Sequence, residues 1–272
     1  MTKKPLLRIV AALVALGLVG AVTYTFFWDP DPSYDAAPDT ATAQADPAEL
    51  ARAAELRIFF GHMSVGNNII SGMRQVYDAH EVPRPGFVET GIGEVPDLPQ
   101  GGAFVHTLIG ENRHPYRKLE NFAAMLRGGM AEQVDVALIK FCYIDIRWDT
   151  DVDKLFRTYR DTMAELEAEF PDVRFIHVTA PLTTGPHGIK DHVKHFVGRN
   201  DNAARERYNE LMRAEYGADR LLDVAALESR APDGTVAPEL YAGYSNDEAH
   251  LNGTGSALAA LELVRMLNLA RD

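Results

Sequence analysis

From Glu55 onward the chain alternates short apolar runs with segments whose apolar residues recur at helical spacing. That alternation marks a parallel sheet covered by helices on both faces. The candidate strands are LRIFF (56–60), GFVET (86–90), VDVALIKFCY (134–143), VRFIHVTA (173–180) and LLDVA (221–225). Helical patterns fill 67–79, 116–129, 152–170, 201–217 and 253–270. In the third, Leu155, Tyr159, Met163 and Leu166 fall on one face, which the pattern assigns to packing on the sheet rather than to a cofactor. The expected fold is therefore an α/β, three-layer α/β/α sandwich around a five-stranded parallel sheet. Two connections, Gly91 to Pro115 and Leu182 to Asn200, are longer than ordinary turns. Both follow candidate strands, so both should overhang the carboxyl edge, where open α/β folds bind their ligands.

Before this domain lies a different kind of sequence. After Lys3, Lys4 and Arg8 comes IVAALVALGLVGAVTYTFFW (9–28), about the ~20 apolar residues that cross a bilayer as a helix and longer than a cleaved signal core. The expectation is a signal anchor over 1–28, its basic end cytoplasmic and Tyr24 and Trp28 at the far interface. A tether rich in Pro, Asp, Ala and Thr follows over 29–48, and the folded domain occupies 49–272. The competing reading is secretion after cleavage near AQA (43–45). On either reading the domain is extracytoplasmic. The net charge of −12 argues against a nucleic-acid partner, which needs clustered Lys and Arg. Cys142 is the single cysteine, so neither an intrachain disulfide nor a cysteine zinc cluster can form.

Two motifs carry chemistry. The first, FGHMSVGNN (60–68), places Ser64 on a glycine-containing turn at the end of the first strand, where a serine can be presented at the sheet's open edge. Its plainer reading is a helix cap. The second, SNDEAHLNGTGS (245–256), sets Asp247 three residues before His250, just ahead of the last helix. In such a pair the carboxylate binds one imidazole nitrogen and leaves the other to take a proton from a serine. Its plainer reading is a capped turn with a surface histidine.

Taken together, with Ser64 after the first strand and DEAHLNGTGSALAA after the last, the chain resembles the SGNH/GDSL hydrolase superfamily over roughly 56–270. The resemblance implies an SGNH or flavodoxin-like α/β/α fold and ester hydrolysis through a Ser-His-Asp triad, here Ser64, His250 and Asp247. It implies an oxyanion hole that includes the Ser64 N–H and a glycine N–H, for which Gly110 is the best placed and Gly91 and Gly93 are rivals. The match departs in two places. Met63 stands where the family has the aspartate before the nucleophile. In the block that usually ends Gly-x-Asn-Asp, Cys142 and Ile144 replace the glycine and the asparagine, leaving only Asp145. The candidate to replace the lost oxyanion donor is Asn112, with Asn67 and Asn68 as alternatives.

The activity so implied is a serine esterase cleaving an oxygen ester without a cofactor or metal. Polar loops and export suggest O-acetyl groups on a carbohydrate or envelope polymer as substrate. A noncatalytic binding protein on the same scaffold, and an acyltransferase using the same triad, are the rival readings. The remaining chemistry-bearing residues have plainer roles. His62 is read as structural, Cys142 as a buried inert thiol, and Lys140 and Arg147 as solvated or ion-paired. His187, His192 and His195 are read as part of a mobile polar loop, without the carboxylate or cysteine spacing of a metal site.

Overall fold

The computed structural model describes residues 44–269. The anchor at 1–28 and the tether as far as residue 43 lie outside the described residues, among which no helix is long and apolar enough to cross a membrane. These residues form two compact units, the short segment 185–200 and the larger remainder.

The larger unit opens with α1 (Pro47–Ala53), whose first turn is capped by Asp46 accepting the Ala48 N–H at 2.8 Å. The chain then runs β1 (Arg57–His62), α2 (Ser64–Ala79), β2 (Gly86–Glu89), β3 (Ala103–Leu108), α3 (Pro115–Arg127), β4 (Val136–Ile139), α4 (Val152–Glu169) and β5 (Arg174–Val178). The short unit contributes α5 (Gly188–Phe196), after which come α6 (Asp201–Glu215), β6 (Leu221–Leu222), α7 (Val224–Glu228) and α8 (Gly253–Leu269). All paired strands are parallel, and the sheet holds six of them in the order β2-β3-β1-β4-β5-β6.

Side-chain alternation along each strand builds the two cores. Ile58, Phe60, Phe104, Leu138 and Ile176 enter one with α1, α2, α7 and α8. Phe59, Val105, Ala137, Ile139 and Phe175 enter the other with α3, α4 and α6. Leu155, Tyr159, Met163 and Leu166 of α4 all lie in the second core, as their spacing predicted. The sandwich is thus three-layered.

Six strands correct the expected five. The additional strand, β3, lies inside the stretch 91–115 that sequence reading took as one loop. It inserts between β1 and the edge strand β2, pairing with both, and its residues Ala103 to Thr107 are all buried. This matters for the site, because the chain leaving β3 emerges at the carboxyl edge beside the chain leaving β1. The second long connection is also not a plain loop, since it contains α5.

Candidate active site

At the end of β1 the chain turns at Met63 and enters α2 at Ser64. Met63 is the capping residue, in extended backbone geometry and without a side-chain cap. Ser64 therefore stands in the first turn and caps nothing. Among the described residues its hydroxyl has one partner, Cys142 Sγ at 3.9 Å. The turn is held from beneath by His62, whose Nδ1 lies 2.9 Å from the Met63 carbonyl and whose Nε2 lies 3.2 Å from His106 Nδ1. A carbonyl only accepts, so His62 Nδ1 is the donor, His62 Nε2 is the acceptor, and His106 Nδ1 donates to it. Burial pushes His62 down to about 3, with the neighbouring His106 and Lys140 adding to the effect and the Met63 bond opposing it. It stays neutral over any ordinary working range.

His62 also explains the glycine two residues past the serine. A Cβ on Gly66 would lie 2.3 Å from the His62 Cβ and within 2.6 Å of its ring. The imidazole fills the place of the missing side chain. Because a peptide is planar, fixing the Met63 carbonyl also fixes the direction of the Ser64 N–H on the other side of the same bond. Histidine at 62 and glycine at 66 are in this sense one feature.

The stretch leaving β3 comes next to this turn: the Ile109 N–H donates to the His62 carbonyl at 3.0 Å. Gly110 follows at φ 144°, a conformation that glycine adopts readily. Gly91, the first rival, follows the edge strand β2, and its N–H is taken by Glu94 Oε2 at 3.1 Å. Two residues past Gly110, the exposed Asn112 has its Oδ1 bonded to Lys118 Nζ at 3.2 Å. That bond orients the amide and leaves its N–H₂ end to donate elsewhere. Asn68 is differently engaged, its Oδ1 accepting the Leu251 N–H at 3.4 Å.

The buried Asp145 ties this loop to the end of β4. Its Oδ1 accepts the Arg113 N–H at 2.8 Å, and its Oδ2 accepts the Cys142 N–H at 2.7 Å and Lys118 Nζ at 2.5 Å. Arg113 sits at φ 70°, an uncommon conformation for a side-chain-bearing residue that persists where its surroundings hold it. Lys118 is fully buried, and an ammonium there is tolerable only because Asp145 and Asn112 meet it. Sequence reading noted Asp145 but missed Lys118. The available signal was its place on the same helical line as Phe122 and Met125.

The second motif forms as its spacing predicts. Asp247 Oδ2 lies 2.7 Å from His250 Nδ1, while Oδ1 accepts the Ala249 and His250 N–H groups at 2.7 Å each. Burial pushes the Asp247 carboxyl up, but these bonds outweigh it and hold the group below its ordinary value. As a carboxylate it only accepts, so His250 Nδ1 carries a proton, and in the neutral ring Nε2 is the nitrogen that presents a lone pair. An antiparallel bridge between Ser245 and Leu251 closes the turn. The His250 ring packs edge-on against Tyr143 with centroids 5.9 Å apart. Tyr143 is itself fixed by Arg205, whose Nε donates to its carbonyl at 2.8 Å.

Ser64 and His250 thus lie against consecutive residues of one turn, Cys142 and Tyr143. No hydrogen bond joins them among the described residues.

Two further expectations need correction. Lys140 is neither solvated nor ion-paired; it is fully buried, with Nζ donating to the Phe141 carbonyl at 3.1 Å, and burial lowers its pKa. It follows directly on β4, where its backbone N–H still pairs with the Gly61 carbonyl of β1, and its side chain is enclosed. His192 and His195 belong to α5 rather than to a loop, and His187 precedes that helix. Cys142 is fully buried, as expected, and Arg147 lies 3.9 Å from Asp149 at the surface.

No family model matches this chain, and no curated protein matches it. Among solved structures it is similar to one from Streptococcus pneumonia named for platelet activating factor, with 14% identity, a TM-score of 0.47, and coverage of 93% of this chain and 99% of that one. It is also similar to the periplasmic domain of a lipopolysaccharide acetyltransferase from Salmonella ser. Paratyphi A, with 11% identity, a TM-score of 0.41, and coverage of 83% of this chain and 87% of that one. At these identities and scores neither likeness bears on the chemistry of the site.

Proposed function

We propose that the protein is a divergent SGNH-type serine esterase, extracytoplasmic and held to the membrane by residues 1–28, acting on an oxygen ester. Ser64 attacks the acyl carbonyl, His250 Nε2 takes its proton and then returns it to the leaving alkoxide, and Asp247 holds His250 in the required tautomer. Water, activated by the same nitrogen, releases the acyl group. The Ser64 and Gly110 N–H groups and the Asn112 amide receive the oxyanion. The observation that carries this reading is the 2.7 Å Asp247–His250 bond, with Nε2 left unpartnered among the described residues and set against the turn that also contacts Ser64. On this reading Ser64 rotates from Cys142 Sγ toward His250 when substrate binds, as catalytic hydrogen bonds often tighten only in the complex.

The substrate we infer is an O-acetyl group on a carbohydrate or envelope polymer, suited to a polar edge and an exported domain. Transfer of the acyl group to a sugar hydroxyl uses the same residues. A noncatalytic binding role is favoured by one observation, the absence of a Ser64–His250 bond, together with Ile144 where the resembled family has asparagine. A fluorophosphonate probe separates the two. Labelling of folded protein that disappears in Ser64→Ala supports the esterase; folded wild-type protein that stays unlabelled favours the binder.

A further inference from the structure

We propose that α5 is an interfacial helix that seats on an anionic lipid surface. The proposal is independent of the esterase reading and rests on the arrangement of side chains around this one helix. None of its residues is buried. Ile189 and Val193 are each 46% exposed, Phe196 92%, and Val197, just past the helix end, 61%. At 3.6 residues per turn these four fall on one arc of about 100°. Exposed apolar residues scattered singly need no explanation, but a continuous stripe along a helix marks a surface that meets something apolar.

The charges select the partner. Lys190 and Lys194 border the stripe on one side, His192 borders it on the other, and Asp191, the only acid of the helix, lies on the opposite face. Lys194 Nζ reaches around to Asp191 at 2.5 Å. A long lysine stem can instead lie along the apolar face and lift its ammonium to a phosphate. Apolar residues inward, lysines at the boundary and acid outward is the pattern of a helix lying in a headgroup layer. The chain as a whole is acidic, with a net charge of −12. An anionic bilayer therefore repels the protein broadly and attracts it here. A helix of nine residues binds such a surface weakly alone. If 9–28 anchors the chain, docking becomes intramolecular and the high effective concentration compensates.

The test uses the full chain in lipid vesicles with a polarity-sensitive fluorophore on Phe196→Cys, and separately on Asp191→Cys. The natural Cys142 is fully buried, and unsubstituted protein controls for its labelling. The expected result is a shift to shorter wavelength at position 196, but not at 191, in vesicles of equimolar phosphatidylcholine and phosphatidylglycerol. The shift should be absent in phosphatidylcholine alone and should shrink at high salt. Lys190→Gln and Lys194→Gln should each weaken docking about fivefold, the share of one lysine near a charged surface. A shift of equal size in phosphatidylcholine or in detergent overturns the proposal, because the face then does not select an anionic surface. So does an unshifted signal at 196, or an equal shift at 191 and 196.

Discussion

The serine half and the histidine half of the candidate site are built on different principles. Ser64 is placed by its neighbour His62 and, through it, by residues remote in sequence. His62 and His106 come from neighbouring strands, Asp145 reaches from the end of β4 to the loop after β3, and Lys118 rises from α3. The histidine half is local: the bonds that fix His250 to Asp247 and close its turn on Ser245 all lie within five residues. Its side chains are also more open than the buried His62, Lys118 and Asp145, at 35% for His250 and 53% for Asp247. The position of Ser64 is therefore a property of the assembled sheet, whereas the tautomer of His250 is a property of one turn.

That contrast is tested most severely by removing the reacting groups themselves. Ser64→Ala and His250→Ala should each reduce hydrolysis of a short activated ester by at least ~10³-fold with the fold intact, as lost triad members do. Turnover within tenfold of wild type for either variant rejects the triad. It would also leave the two halves as unrelated structural features.

Next in size is the proposed oxyanion donor on the serine half, Asn112. Asn112→Ala should lower kcat by ~10²-fold with little change in KM, since the interaction forms mainly in the transition state. Lys118→Met should share part of that loss because Asn112 is then unheld, and should also lower Tm because Asp145 loses its cation. Unchanged kcat in Asn112→Ala moves the role to another donor, with Asn67 the freer of the two remaining asparagines.

The same contrast explains what the sequence revealed. The Asp247–His250 pair was legible because a three-residue spacing before a helix is enough to bring the two groups together. Four of the five helical patterns were legible because α2, α3, α4 and α6 each bury one face, and the fifth because α8 is a long apolar run buried on most of its circumference. What was missed depends on pairing across the sheet. AFVHTL carries aromatic and β-branched residues, but it follows a Pro- and Gly-rich stretch and is shorter than a helix. Only its two partner strands make it β3. The partnership of His62 with Gly66 was likewise hidden, since nothing local shows that one ring fills the space above the other residue.

A smaller effect is expected at His62. Leucine there cannot hold the Met63 carbonyl, and loss of one such hydrogen bond should lower kcat by up to about tenfold. Asparagine, which keeps an N–H donor at a similar reach, should recover most of it. With His62 lowered to about 3 by burial, neither variant should move the acid limb of the pH–rate profile. A purely structural role would instead lower Tm in both variants without separating them in kcat.

The smallest effect on turnover, yet a distinct one on stability, is expected behind the histidine half. Glu228 is buried on α7; its Oε2 accepts the Leu182 N–H at 2.7 Å, its backbone carbonyl accepts the Tyr241 N–H, and its Oε1 has no partner among the described residues. Burial pushes its carboxyl up to about 8, against the opposing pull of the Leu182 N–H, Lys140 and Arg205. An acid whose folded value lies above its unfolded one retains its proton when the unfolded chain has released it. Stability should therefore be greatest below the unfolded value and fall as pH rises toward 8, by at most ~1.4 kcal/mol per pH unit for one proton. Glu228→Gln removes that proton exchange, so its denaturation midpoint should decline less than wild type between pH 5 and 8, while kcat at neutral pH stays within about twofold. Parallel midpoint curves for the two proteins would mean that Glu228 ionises normally in the folded state. A large loss of kcat in Glu228→Gln would mean instead that the histidine half depends on the buried sheet edge as the serine half does, and the contrast between them would fail.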